Sequence, residues 1–206
     1  MSEQVNIGLV VLAAGTSIRL GRPKQLVTFE GKTLLQRTMD CGGEDKFQSK
    51  VLVVGANADE ILSETNCGSF DVCINERWKE GMAGSLKLGL EKSLELNPNL
   101  KALMILVSDQ PFVRTDLLNE MIKLHTSESC IVICQYEGVN GVPALLGNEY
   151  FNEILALEGD QGAKKIIKNH LDHVKTITFD QGSFDIDTPE DLKRLNALEN
   201  GHASND

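Results

Sequence analysis

The chain reads as an α/β fold, with a mostly parallel sheet covered by helices on both faces. Three observations predict this. Apolar runs at residues 7–12 and 103–107 are continuous, as expected for strands buried on both sides. Between such runs lie segments with helical periodicity, as in Leu86, Leu90 and Leu94. The length of 206 residues suits one such domain, and 41% hydrophobic with 24% charged residues is ordinary globular usage. Strands and helices alternate along the chain, which favours parallel pairing.

The elements follow in order. A first strand over 7–12 ends at Ala13, Ala14 and Gly15. A helix is predicted over 33–39 and closed by Gly42, Gly43, Glu44 and Asp45. A strand over 51–54 is closed by Gly55. A helix over 59–65 has Asp59 near its N-terminus, and a short strand over 70–74 leads into Asn75. The helix over 84–94 breaks at Asn97, Pro98 and Asn99. Residues 103–107 form the most apolar strand, predicted to be central, and it stops at Ser108 and Asp109. A helix over 115–124 takes Thr115 as N-cap, and a strand covers 131–134. Residues 138–147 look turn-rich, helices cover 149–157 and 162–171, and a strand covers 174–179. Thr188 as N-cap and Pro189 in the first helical position start a last helix, with Leu192, Leu195 and Leu198 on one face. Residues 201–206 are expected to be a disordered polar tail, leaving one domain over 1–200.

Composition limits the function classes. A net charge of −10 argues against general nucleic-acid binding. Locally the balance differs: residues 19–32 hold Arg19, Arg22, Lys24 and Lys32 against the single acid Glu30. No apolar run approaches the ~18 residues of a membrane helix, so no membrane partner is expected. The start Met1-Ser2-Glu3-Gln4 has no basic n-region or cleavage site, so no signal peptide is expected. Five scattered cysteines without a C-x-x-C motif suit a reducing, cytoplasmic setting.

The loop after the first strand is the chemical centre. A loop at the carboxyl end of a parallel strand is where open α/β sheets bind ligands. Small residues let backbone N–H groups line an anion site, and Arg19, Arg22 and Lys24 add cations. Five residues separate Gly15 from Gly21, and Gln25 follows Lys24, so this is neither a Walker A loop nor a dinucleotide fingerprint. On spacing alone, a plain turn with solvated basic residues fits equally well. Asp109 follows five apolar residues, so it stands at a strand end, as a metal ligand or a turn residue. Asp185 and Asp187 lie two apart and point the same way if extended. Asn75, Trp78, Gly81, Met82, Ser85 and Gly89 span a loop and a helix start, a place that favours anions. His170 and His173, with no third ligand, read as solvated surface.

Together these motifs resemble the MobA-like NTP transferases, the molybdenum cofactor cytidylyltransferase and guanylyltransferase group. The matching residues are Leu12-Ala13-Ala14-Gly15, Ser17, Arg19, Gly21 and Lys24, then Asn75, Trp78, Gly81, Met82, Ser85 and Gly89, which resemble the cytidylyltransferase type, then Asp109-Gln110-Pro111, then Asp185, Asp187, Thr188, Pro189, Glu190 and Asp191. The resemblance implies a three-layer Rossmann-like fold of the nucleotide-diphospho-sugar transferase type. It implies a nucleotide-binding half near 1–112 and an acceptor-binding half near 113–200. Lys24, Arg19 and Asp109 would be catalytic. Leu12, Ala13, Ala14, Gly15, Thr16, Ser17, Gln25, Asn75, Gly81 and Ser85 would bind the nucleotide. Mg²⁺ would be held by Asp109 with Asp185 or Asp187; Asp185 is favoured, with Asp187 holding the helix start. Trp78, Gln110, Pro111, Gly141, Pro143, Asp160 and Lys164 would face the acceptor, although Val142 departs from the polar residue expected there. The implied reaction moves CMP from CTP to a molybdopterin-type phosphate, releases pyrophosphate and supplies a recipient molybdoenzyme. The alternatives are a guanylyltransferase using GTP, a sugar-1-phosphate nucleotidyltransferase, and a nucleotide-binding regulatory or chaperone-like module without turnover.

Overall fold

The computed structural model describes residues 6–43 and 46–203, with side chains as far as residue 199. The chain runs through β1 (Ile7–Ala13), the short hairpin β2 (Thr28–Phe29) and β3 (Lys32–Thr33), α1 (Leu34–Asp40), β4 (Ser49–Val54), α2 (Ala58–Ser63) and β5 (Asp71–Ile74). It continues through α3 (Met82–Leu96), β6 (Ala102–Val107), α4 (Thr115–Leu124), β7 (Ile131–Tyr136) and β8 (Val139–Gly147). The last elements are α5 (Phe151–Leu155), α6 (Ala163–Asn169), β9 (Val174–Thr178) and α7 (Pro189–Ala203).

Seven strands form one sheet in the order β5-β4-β1-β6-β8-β7-β9, with β6 in the middle as its apolar sequence predicts. The pairs β5/β4, β4/β1, β1/β6 and β7/β9 are parallel, and only β8 runs against its neighbours. Side chains alternate between two cores. Leu9, Val11, Met104 and Leu106 pack with α1, α2 and α4. Val10, Leu12, Leu103 and Ile105 pack with α3, α5 and α6. Both faces are therefore buried, which is why these strands carry no polar alternation. Each fully buried Leu, Ile or Val contributes about 1.5–3 kcal/mol.

Strand β8 corrects the turn-rich expectation for 138–147. Glu137 and Gly138, with φ of 50° and 75°, make the tight turn of a β7–β8 hairpin. Such a turn needs positive φ at both central residues, and Glu-Gly is a weak version of that signal. Gly141 and Pro143 read as strand breakers. They are tolerated because the register slips between Ile133 and Cys134, which leaves Val142 and Pro143 outside the ladder.

Smaller corrections concern helix ends. Arg114, not Thr115, occupies the N-cap of α4, and the Thr115 hydroxyl instead donates to the Cys41 carbonyl at 3.4 Å. Helix α5 is shorter than predicted, because residues 148–150 form a 3-10 turn. Helix α7 continues to Ala203, so half of the expected tail is helical, and 204–206 lie outside the described residues. Glu44 and Asp45, expected to close α1, also lie outside them. The start of α7 is as read: Thr188 N–H donates to Asp191 at 2.9 Å, and Asp191 N–H donates back to the Thr188 hydroxyl at 3.3 Å.

A third apolar cluster positions the site. Leu20, Val27, Phe29 and Leu34 pack with Ile186 and Leu195, beside Phe112 and Phe184. Edge-to-face contacts link Phe29 to Phe112 at 5.6 Å and Phe112 to Phe184 at 5.5 Å. This cluster seats the 184–187 segment against the loop after β1. All five cysteines are free thiols. Among the described residues, no helix is long and apolar enough to cross a membrane.

Candidate active site

The loop after β1 is braced from within. Ser17 takes a left-handed φ of 54°, and its carbonyl accepts from Leu20 and Gly21 N–H, forming a tight turn. Its hydroxyl accepts from Lys24 N–H at 3.0 Å. Gln25 is buried, and its amide donates to the carbonyls of Ala13 at 2.8 Å and Gly15 at 3.1 Å. Ser17 and Gln25, read from sequence as nucleotide-binding, thus direct polar groups into the loop, and Gln25 also lines the cavity beside it.

This brace aims Lys24 across the strand ends. Its Nζ lies 2.6 Å from Asp109 Oδ2 and 2.8 Å from Asp187 Oδ1. Burial opposes the ammonium charge, but the Asp109 and Asp187 carboxylates outweigh it and raise its pKa above the usual lysine value. Arg19 reaches the other oxygen of Asp187 at 2.6 Å. Burial resists ionisation of Asp187, yet the hydrogen bond from Lys24 and the nearby charges hold its pKa below the usual range. Asp187 is therefore committed to cations, while Asp191 holds the helix start assigned to Asp187 from sequence.

Asp109 and Asp185 are joined through the backbone: Ile186 N–H donates to the Asp109 carbonyl at 3.2 Å. Burial, then the charge of Asp109, push Asp185 up to about 6. The second carboxylate oxygen of Asp109, Oδ1, is buried without a hydrogen-bond partner. Burying a carboxylate oxygen this way is costly unless something charged or hydrogen-bonding meets it. Among the described residues, no three His, Cys, Asp or Glu side chains form a metal cage. One orphaned carboxylate oxygen beside a second acid fits a Mg²⁺-type ion, which takes one or two carboxylates and completes its shell with substrate phosphates and water.

Two cavities meet at Asp109. The first, about 410 Å³, is walled by Leu12, Ala13, Ala14, Gly15 and Thr16 on one side and by Trp78, Gly81, Met82 and Ser85 on the other. Asn75 stands behind this wall, buried, and donates to the Ser85 hydroxyl at 3.0 Å. Gly81 has φ 110°, and a Cβ there would lie 2.3 Å from the Gly159 carbonyl. Only glycine allows that approach, which brings the 159–160 loop to the cavity mouth. The second cavity, about 260 Å³, holds Gln110, Tyr136, Val142, Lys164 and Asp185 in its walls. Leu12, Met82, Val107, Asp109 and Asp160 line both.

Not every candidate reaches a wall. Pro111 turns its carbonyl toward Arg37 at 3.4 Å, Gly141 lies beneath the Tyr136 hydroxyl, and Pro143 lines neither cavity. Val142 takes their place. Ile18, Lys79 and Tyr136 line cavities without having been singled out. Tyr136 had no sequence signal, because its partners lie on other strands. His170 and His173, read as solvated, pair with Glu153 at 2.7 Å and with the Tyr150 hydroxyl at 2.6 Å.

Comparison with known proteins bears on the family and the fold. The family model of the MobA-like NTP transferase domain matches residues 9–174. Nicotine blue oxidoreductase of Paenarthrobacter nicotinovorans is 33% identical over 120 residues, covering 56% of this chain and 55% of that protein. The chain thus matches about half the length of that relative. Rv0371c from Mycobacterium tuberculosis H37Rv has the same fold with a TM-score of 0.80 and 30% identity, covering 93% of this chain and 98% of that one. A second structure of Rv0371c, a complex with manganese, gives 0.77 and 28% over 93% and 98%. Molybdopterin-guanine dinucleotide biosynthesis protein A from Archaeoglobus fulgidus shares the fold at 0.65, with 20% identity over 93% of this chain and 97% of that one.

Proposed function

The chain belongs to the MobA-like NTP transferase family and is a nucleotidyltransferase, and from that premise we propose that it transfers CMP from CTP to the phosphate of a molybdopterin-type acceptor. The observation that carries the reading is Asp109, which stands where two cavities meet, beside Lys24 and with a buried oxygen lacking a partner. The larger cavity receives the nucleotide and the smaller one the acceptor.

In this reading the triphosphate lies along the backbone from Ala13 to Thr16, where N–H groups meet phosphate oxygens. Lys24 and Arg19 neutralise its charge. Asp109 and Asp185 would hold Mg²⁺, which supplies further neutralisation at the reacting phosphates. An acceptor phosphate oxygen forms a bond to the α-phosphorus while the bond from that phosphorus to the bridging β-phosphate oxygen breaks, so pyrophosphate leaves. The attacking oxygen is already anionic, so no strong base is required. Positioning and electrostatics carry the rate, as in phosphoryl transfer generally. A reducing cytoplasm as the setting accords with the five free cysteines, and a molybdoenzyme as recipient of the product follows from the resemblance alone.

Preference for CTP is supported by the resemblance of the Asn75–Gly89 segment, whose Trp78, Gly81, Met82 and Ser85 line the larger cavity, to the cytidylyltransferase group. The test is pyrophosphate release with molybdopterin, Mg²⁺ and each of the four NTPs. CTP is expected to give the highest kcat/KM. Preference for GTP would make the chain a guanylyltransferase. Turnover only with a sugar phosphate would replace the acceptor.

A further inference from the structure

We infer that Tyr136 orients the acceptor in the second cavity by donating its phenolic O–H to a non-attacking oxygen of the acceptor phosphate, an inference that rests on the proposed nucleotidyl transfer. The first observation is how the ring is held. A Cβ on Gly141 would fall 2.1 Å from the Tyr136 hydroxyl, and one on Gly182 would fall 2.4 Å from the ring. The ring therefore lies directly on two stretches of bare backbone, a contact that any larger residue would abolish.

The second observation is what the ring is tied to. The Gln110 amide donates to the carbonyls of Val142 at 3.1 Å and Gly182 at 3.0 Å, the residue after one glycine and the other glycine itself. Gln110 directly follows Asp109, so one buried side chain fixes both glycines relative to the reacting centre. Strands β6 and β7 both run antiparallel to β8, which places Asp109 and Tyr136 at the same end of the sheet.

The third is the cavity itself: Tyr136 lines its wall together with Asp109, Asp185 and Lys164, while its hydroxyl is held against Gly141 and by the Gln110 side chain. A phenol is an O–H donor at neutral pH, and with the Lys164 ammonium it gives an anion two points of attachment beside the carboxylates assigned to the metal. Two points fix the direction in which the third phosphate oxygen faces the nucleotide.

Tyr136→Phe keeps the ring and removes only the donor. With molybdopterin, CTP and Mg²⁺, its KM for molybdopterin is expected to rise about tenfold, the usual scale for a lost hydrogen bond to a charged group, with KM for CTP and the melting temperature unchanged. Gly182→Ala, which displaces the ring, should also raise the KM for molybdopterin without raising that for CTP, here with a lowered melting temperature. Unchanged acceptor KM in Tyr136→Phe would overturn the inference, as would equal rises for both substrates. Absence of pyrophosphate release by the unaltered enzyme would overturn the underlying reaction and this inference with it, an outcome distinct from a Tyr136→Phe enzyme that behaves like its parent.

Discussion

The two cavities at Asp109 are built in different ways. One wall of the larger comes from one stretch, the end of β1 and the loop after it, whose shape is fixed by Ser17 and by Gln25 further along the same loop. The smaller draws on β6, β7, β8, the start of α6 and the segment before α7, held together by Gln110 and by packing of Ile186. In the proposed reading phosphates are met by local backbone, so their site is a local motif, whereas recognition of an acceptor needs side chains converging from several elements, so that site exists only in the folded chain.

The largest expected effect comes from the residue common to both cavities. Asp109→Asn preserves shape and removes one charge, and kcat is expected to fall on the order of 10²–10³-fold, the scale of a lost electrostatic contact to a transition state. Circular dichroism should match the parent. Activity within tenfold of the parent would remove Asp109 from the reaction.

Next comes a change confined to the nucleotide side. Lys24→Ala should weaken CTP binding roughly tenfold or more, because its ammonium is largely buried among charged partners. Lys32→Ala, whose ammonium is exposed and paired with Asp40, should change binding less than twofold. The sole tryptophan, Trp78, read from sequence as facing the acceptor, lines the larger cavity, so its fluorescence can follow both titrations. Equal losses would mean that a diffuse basic surface, not a shaped loop, binds phosphate.

On the acceptor side, Asp185 gives a smaller effect that depends on pH. Its folded pKa of about 6 lies above the ordinary 3.8, so the folded protein holds this proton more tightly than the unfolded chain does. Its contribution favours folding at low pH and is lost as pH rises from about 4 to about 6. Without divalent metal, Asp185→Asn should therefore melt higher than the parent at pH 7 and lose that advantage near pH 4. Solvent on the open side of the carboxyl screens part of the effect. A parent and variant that melt together at both pH values would contradict the raised pKa that burial, then the charge of Asp109, give Asp185.

The smallest effect tests whether the segment before α7 is placed by its helix cap or by packing. Asp191→Ala removes the reciprocal cap with Thr188 and should cost about 1 kcal/mol while leaving CTP affinity unchanged. Loss of CTP affinity would show that the cap, not the Ile186 and Leu195 contacts, positions Asp187.

Most of the sheet was legible because a strand buried on both faces leaves a continuous apolar run, and β1 and β6 are such runs. Strand β8 was hidden because Gly141 and Pro143 imitate a turn, and only the register slip against β7 makes them compatible with a strand. Asp109 was readable at a strand end and Lys24 in the loop after β1, but their mutual contact at 2.6 Å spans 85 residues of sequence and belongs to tertiary structure. Gln25 shows the converse: its place in the motif was visible, while its bonds to Ala13 and Gly15 depend on how the loop folds back. Tyr136 left no trace, since nothing in the sequence links it to Gly182.

The most direct test of nucleotidyl transfer at Asp109 follows the fate of each phosphate. CTP labelled at the α-phosphate or at the γ-phosphate is incubated with the enzyme, Mg²⁺ and molybdopterin. The account predicts that the α-label moves to molybdopterin and the γ-label appears in pyrophosphate, with both transfers lost in Asp109→Asn. A γ-label released as inorganic phosphate while the α-label stays in a nucleotide would contradict it.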